Sequence, residues 1–138
     1  MIHFLPNNPE TLALLIAGRQ LLQDPNRWCK VHMKLGDSYC LNGALFEVGT
    51  PIFIMPDNYC SDDPLYCRGD LKRGQIPEPF WYLRLALKQR STFENIGLFN
   101  DHPETTHEQV LELLQRSIVL VESEIEQHSA HRTNEYAA

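Results

Sequence analysis

Hydrophobic residues recur at helical spacing near the start of the chain. The apolar positions are Leu12, Leu15, Ile16, Leu21 and Leu22. Asn8 and Pro9 precede them, which is typical of a helix start because asparagine caps exposed amides and proline suits the first helical position. Pro25 cannot continue a helix. The pattern therefore predicts a first helix that begins near Asn8 and ends before Pro25.

An alternating pattern follows the first helix. Val31, Met33 and Leu35 are apolar and alternate with polar residues or glycine, which is the period of a half-buried strand. Gly36-Asp37 indicates a turn, and residues 38–40 then return as a short second strand. This segment is therefore predicted to form a β-hairpin, with Val31, Met33 and Leu35 on one face.

Two further helices are predicted in the centre of the chain. Residues 42–48 form a short, mostly apolar stretch that ends at Gly49. Residues 79–88 form the second helix, and the residues on one of its faces are Phe80, Leu83 and Leu87. Between them, residues 50–78 are rich in Asp, Asn, Gly and Pro and are predicted to form a long polar loop, which is uncommon inside a compact domain.

The last helix has the clearest start signal. Thr106-His107-Glu108-Gln109 is a capping box, in which the threonine oxygen and the glutamine side chain bind exposed backbone amides. The apolar stripe that follows contains Val110, Leu114, Ser117, Val121 and Ile125.

The predicted fold is mainly α (α+β), a small helical domain with a short β-hairpin. It forms a single globular domain over residues 1–128, followed by a frayed tail at 129–138.

The overall composition narrows the class of partner. The chain has 138 residues and a formal net charge of −6, so it suits one domain and does not favour phosphate binding. No apolar run of about 18 residues exists, and the first residues lack a secretion signal. We therefore expect a cytoplasmic protein whose partner is another protein, with no nucleic acid and no membrane. The sequence leaves open whether the protein forms a homo-oligomer.

The cysteines provide the first candidate chemistry. In a reducing compartment the four cysteines of the chain are expected to be free thiols. Cys40 precedes the predicted 42–48 helix, whose dipole would lower the thiol pKa. His102 would then act as the base, with Asp101 or Asn100 as the orienting group. The alternative is a buried Cys40 that packs as a small hydrophobic residue.

The second chemistry that the cysteines suggest is the binding of a metal ion. Cys29 and His32 have a C-x2-H spacing, and Cys60 and Cys67 would have to supply further ligands. Structural zinc usually uses two tight pairs, and the six residues between Cys60 and Cys67 are too many for one. We therefore predict no metal site and no cofactor.

Aromatic and amide side chains supply the candidate binding residues. Trp28 and Trp81, with neighbours of Trp81 in the sequence, provide area for either a partner groove or core packing. Asn100-Asp101 is either an Asx turn or a polar pair that points into a cleft. The predicted binding residues are Trp28, Asn100 and Trp81.

Several short motifs occur in a distinctive order. They are Trp28-Cys29, Cys40-Leu41-Asn42-Gly43-Ala44-Leu45, Phe99-Asn100-Asp101, and Thr106 with Val110-Leu111. This order resembles a small family of bacteria and bacteriophages that is described only as a domain of unknown function. The resemblance covers about residues 11–122, and the 50–78 segment is longer than the middle of that family.

The resemblance implies that Trp28, Cys40, Gly43, Asn100 and Asp101 lie together. Glycine inside a helix costs about 1 kcal/mol relative to alanine, and close approach by a bulky neighbour such as Trp28 would explain Gly43. Asn100 and Asp101 would then accept hydrogen bonds from the Trp28 indole or from amides of the 42–48 helix.

The sequence favours a non-catalytic protein-binding or regulatory module of bacterial or phage-like origin. The observations behind this prediction are the negative charge, the aromatic residues, the long polar loop and the lack of a complete catalytic set. The alternative is a small cysteine-dependent hydrolase or transferase that uses Cys40 and His102. A metal-stabilised structural protein is the second alternative.

Overall fold

The computed structural model describes residues 8–50, 72–74, 76–93 and 95–137, with side chains to residue 129. Its elements in order are α1 (Asn8–Leu21), a 3-10 turn (Pro25–Arg27), β1 (Lys34–Leu35), β2 (Ser38–Tyr39), α2 (Leu41–Gly49), α3 (Glu78–Arg90), α4 (Ile96–Asp101) and α5 (His107–Ala137). This order confirms the predicted mainly α fold with a short hairpin. Most of the predicted 50–78 loop lies outside the described residues. Within the described ranges, each helix is too short or too polar to cross a lipid bilayer.

The core lies between α1, α2, α3 and α5. α1 packs against α5 and α2, and α3 packs against α5 and α1. The predicted face of α3 is confirmed, because Phe80, Leu83 and Leu87 are all buried. Phe80 also contacts α2 through Phe46, with ring centroids 5.2 Å apart. The short α4 packs on α2 and α3, which places its last turn beside the start of α2.

The start of α5 follows its sequence signal. The Thr106 amide donates to Gln109 Oε1 at 2.9 Å, and the Gln109 amide donates to Thr106 Oγ1 at 3.2 Å. This reciprocal pair is the predicted capping box. The predicted stripe faces the core, where Val110, Leu114, Ser117 and Val121 are buried. The backbone of α5 remains helical to Ala137, beyond the point where the sequence predicted a frayed tail.

The hairpin is shorter than the alternation predicted. β1 and β2 pair antiparallel over two residues each, with Lys34 opposite Tyr39 and Leu35 opposite Ser38. The predicted shared face of Val31, Met33 and Leu35 is wrong. Met33 is buried, whereas Val31 and Leu35 are 59% and 57% exposed. The physical reason is the backbone of Val31, whose φ of 75° interrupts an extended strand.

Candidate functional site

Asn100 is the centre of a polar network at the last turn of α4, and its side chain is fully buried. Its Oδ1 accepts from Trp28 Nε1 at 2.7 Å and from the Leu41 amide at 3.1 Å. Its Nδ2 donates to the Cys29 carbonyl at 3.1 Å and to Asp101 Oδ1 at 3.0 Å. A primary amide has two donors and two acceptor positions, so Asn100 is fully satisfied. The side chain therefore joins three segments of the chain.

Asp101 extends this network to Val31. Asp101 Oδ1 accepts from the Val31 amide at 2.7 Å as well as from Asn100. Val31 is β-branched and has a positive φ of 75°, a conformation that such residues rarely adopt. The Asp101 carboxylate therefore helps to hold a strained backbone conformation.

Lys30 provides a further attachment to the end of α4. Its Nζ donates to the His102 carbonyl at 2.7 Å and to the Pro103 carbonyl at 3.4 Å. The same ammonium lies 5.4 Å from the centroid of the Trp28 ring. A cation at a helix carboxyl terminus is favourable because it faces unpaired carbonyls and the negative end of the dipole. Each of residues 28–31 is thus hydrogen-bonded to residues 100–103.

Cys40 lies inside the core at the start of α2. Its Sγ accepts from the Gly43 amide at 3.2 Å and donates to Met33 Sδ at 3.6 Å. Burial raises the pKa of Cys40 to about 12, although the Gly43 amide acts in the opposite direction. The pKa of Cys40 is therefore raised, and not lowered as its position at a helix start predicted, because burial outweighs the hydrogen bonds from the α2 amides. The thiol is protonated at neutral pH, where a nucleophile needs the thiolate.

His102 makes its described side-chain contacts with Glu104 and Phe93. Its Nδ1 accepts from the Glu104 amide at 3.1 Å, and its ring packs on Phe93 with centroids 5.3 Å apart. Among the contacts that the structure describes, none joins Cys40 to His102. Asp101 Oδ1 accepts from the Val31 amide and from Asn100 Nδ2. The predicted catalytic set of Cys40, His102 and Asp101 therefore gains no support from these contacts.

Gly43 is placed against the backbone of Met33. A Cβ atom on Gly43 would lie 1.8 Å from the Met33 carbonyl oxygen. The predicted close approach to Gly43 is present, but the neighbour is the Met33 backbone and not the Trp28 ring. Because this neighbour is main chain, it cannot move aside as the end of a flexible side chain can.

The predicted binding residues Trp28 and Asn100 contact each other, whereas the described contacts of Trp81 involve other residues. Trp28 and Asn100 are hydrogen-bonded, and Trp28 also lies near the His107 ring, with centroids 6.0 Å apart. Trp81 lies on α3, where the Arg73 and Arg84 guanidinium groups stand 6.0 and 5.5 Å from its ring centroid. The described neighbours of the two tryptophans are therefore different.

A local hydrogen bond joins Cys29 and His32, the two residues of the C-x2-H pair. Cys29 Sγ donates to the His32 backbone carbonyl at 3.4 Å. Burial, and secondly the negative charge of Asp101, raise the pKa of Cys29. Within the described ranges no three His, Cys, Asp or Glu side chains form a group that could hold a metal ion. Cys60 and Cys67 lie outside the described residues.

Two exposed apolar residues are connected to this network through Asp101. Val31 is 59% exposed and Leu98 is 52% exposed. Leu98 precedes Asp101 by three residues, so the two lie on the same side of α4, and Asp101 binds Val31. We call this pair the Val31–Leu98 surface. The sequence pattern did not predict this surface, because alternation placed Val31 on the same face as the buried Met33. A positive φ at valine also leaves no signal in the sequence.

Comparison with known proteins assigns the chain to a family. The family of unknown function DUF6197 matches residues 6–119, and the chain belongs to this family. The predicted resemblance to a family of unknown function is thereby confirmed. No curated protein and no solved structure matches the chain.

Proposed function

We propose that this family member is a non-catalytic protein-binding or regulatory module, and that its Val31–Leu98 surface contacts the partner. The observation that carries the proposal is the strained backbone of Val31, which presents an apolar side chain to solvent. Strain of this kind costs on the order of 1–3 kcal/mol and clusters at functional sites. Glycine, asparagine or aspartate would adopt the same backbone conformation at lower cost.

The fixed position of this surface favours binding. Asp101 and Lys30 attach the segment around Val31 to the end of α4 before any partner arrives. A surface that is already ordered loses less conformational entropy on association. The Asn100 amide already makes four hydrogen bonds, which favours a structural role for this side chain over a catalytic one.

The neighbouring charges indicate the chemistry of the partner. Residues 27–34 contain Arg27, Lys30 and Lys34 and no acidic residue, although the whole chain carries a net charge of −6. This basic segment adjoins an apolar pair, so we propose a partner protein whose contact surface is acidic with apolar side chains. Complementary charge of this kind steers encounter and selects against other partners.

The alternatives have less support. A cysteine-dependent hydrolase would need a Cys40 thiolate, whereas burial raises the pKa of this thiol to about 12. A metal-stabilised protein would need ligands in addition to Cys29 and His32. Nucleic acid is disfavoured by the net charge of −6.

The proposal is tested by affinity capture from lysate with cross-linking, followed by binding of the identified protein in purified form. Leu98→Glu introduces a negative charge on the surface, and glutamate at the third position of α4 is compatible with a helix start. Val119→Glu is the matched control, because Val119 is 49% exposed on α5. We expect the wild type and Val119→Glu to bind one protein saturably, and Leu98→Glu to bind it at least tenfold more weakly.

Three outcomes would overturn the proposal. The first is equal binding by Leu98→Glu and Val119→Glu. The second is capture that disappears after nuclease treatment, since the ligand would then be a nucleic acid. The third is recovery of only further copies of this chain, which would identify a homo-oligomer interface instead.

A further inference from the structure

A cavity of about 210 Å³ lies where the end of α3, the α4 segment and the start of α5 meet. Its apolar walls are Leu87, Phe93, Phe99 and Leu113. Phe93 and Phe99 meet edge to face, with centroids 5.9 Å apart. The residues of the Val31–Leu98 surface do not line it, so the cavity is a separate feature and does not depend on the proposed function.

Thr105 supplies a polar group to this cavity. Thr105 is only 6% exposed, yet it lines the cavity, and no described residue hydrogen-bonds to its hydroxyl. Its amide donates to the His102 carbonyl at 3.0 Å, which fixes the backbone beside the cavity. Because Thr105 lines the cavity, this hydroxyl is available to donate a hydrogen bond to a bound molecule.

His102 supplies a second polar group. Its Nδ1 accepts from the Glu104 amide at 3.1 Å, so the neutral ring carries its proton on Nε2. The ring lines the cavity, and no described residue accepts from Nε2. The contact with Phe93 restricts rotation of the ring. His102 and Thr105 thus both line the cavity, and each carries a group that can donate a hydrogen bond.

The charges around the cavity do not favour an anion. Arg90 Nη1 is paired with Glu112 Oε2 at 2.6 Å, so its positive charge is already compensated. Glu104 adds a carboxylate to the lining. A neutral acceptor such as a carbonyl oxygen suits this setting better than a carboxylate does.

We propose that this cavity binds a small uncharged molecule of about one ring, whose carbonyl oxygen accepts hydrogen bonds from Thr105 and His102. The size argument rests on volume, because a cavity of about 150 Å³ is large enough for benzene. The larger cavity here accommodates a ring with a carbonyl substituent. The aromatic and aliphatic walls contact the ring, and the two donors orient the oxygen.

The test is an NMR titration of the full chain with benzamide, with benzoate for comparison. We expect saturable shifts at Phe99 and Thr105, with a dissociation constant on the order of 1 mM. Benzoate should bind several-fold more weakly because of its charge. Thr105→Val preserves shape and removes the hydroxyl, and it should weaken benzamide binding about fivefold to tenfold. Ser123→Ala is the control, because it removes an exposed hydroxyl group on α5. It should leave the dissociation constant for benzamide unchanged.

A second variant guards against an effect of Thr105→Val on folding. Phe99→Trp enlarges a residue of the cavity wall and should weaken benzamide binding. The NMR signals of residues away from the cavity should remain those of the wild type. Non-saturable shifts, equal binding of benzamide and benzoate, or wild-type affinity in Thr105→Val would overturn the proposal.

Discussion

The indole Nε1 of Trp28 lies 2.7 Å from Oδ1 of Asn100, across 72 positions of sequence. An indole N–H that is removed from water needs an acceptor, and Asn100 supplies it from the last turn of α4. The same oxygen accepts from the Leu41 amide at the start of α2. This single side chain therefore fixes how the segment before the hairpin, α2 and α4 meet.

Replacing Asn100 with alanine should destabilise the domain by about 3 kcal/mol, because the Trp28 indole, the Leu41 amide and the Cys29 carbonyl lose a buried partner. Urea denaturation gives the change in free energy of unfolding. Asn26→Ala is the control, because that residue is exposed. Equal midpoints for the two variants would contradict the role given to Asn100.

Two glycines in helices should respond differently to alanine. At Gly43 the new Cβ would lie 1.8 Å from the Met33 carbonyl oxygen, so the backbone must move and we expect a loss of at least about 3 kcal/mol. At Gly18 the new Cβ would lie 2.9 Å from Leu45 Cδ2, which can rotate. The gain in helix propensity of about 1 kcal/mol should offset this contact. Thermal unfolding of Gly43→Ala and Gly18→Ala compares them, and similar melting temperatures would argue against the close approach.

The two described cysteines should differ in reactivity. Cys40 is buried and protonated at neutral pH, whereas Cys29 is only partly buried. We expect iodoacetamide to modify Cys29 slowly and to leave Cys40 unmodified in the folded protein at pH 8, with both modified in urea. Peptide mass spectrometry measures each site. Labelling of Cys40 at the rate of Cys29 in the folded state would restore the cysteine-dependent alternative.

The buried thiol also predicts the direction of an alkaline transition. Folding raises the pKa of Cys40 from 9.0 to about 12, so the folded state holds this proton more tightly. The stability from this group is therefore complete below pH 9 and is lost as the pH rises towards 12. The slope for one proton is at most about 1.4 kcal/mol per pH unit. Cys40→Ser retains an acceptor for the Gly43 amide without titrating, so its stability should fall less steeply over this range. Parallel curves for wild type and Cys40→Ser would contradict this.

Local signals in the sequence predicted much of the fold. Asn8 and Pro25 predicted the bounds of α1, which begins at Asn8 and ends at Leu21, before Pro25. The Thr106–Gln109 capping box acts through contacts within three residues, so the sequence displays it directly. The network around Asn100 depends on partners about 70 positions away, and only the family resemblance suggested it. The exposed position of Val31 was not predictable, because valine has no local preference for a positive φ and the Asp101 hydrogen bond to its amide comes from 70 positions away.

The strain at Val31 gives the most direct test. Asparagine tolerates the left-handed conformation, so Val31→Asn should raise the free energy of unfolding by about 1 kcal/mol. The same change removes the exposed apolar side chain and should reduce recovery of the protein partner. Val119→Asn makes the same substitution at an exposed site on α5 and should leave recovery unchanged.

The decisive measurement is the recovery of the cross-linked partner by Val31→Asn, taken together with its unfolding free energy. We expect Val31→Asn to be more stable than the wild type and to recover at least tenfold less partner, with Val119→Asn binding normally. A more stable Val31→Asn protein that binds as well as the wild type, or a wild type that binds no protein saturably, would contradict it.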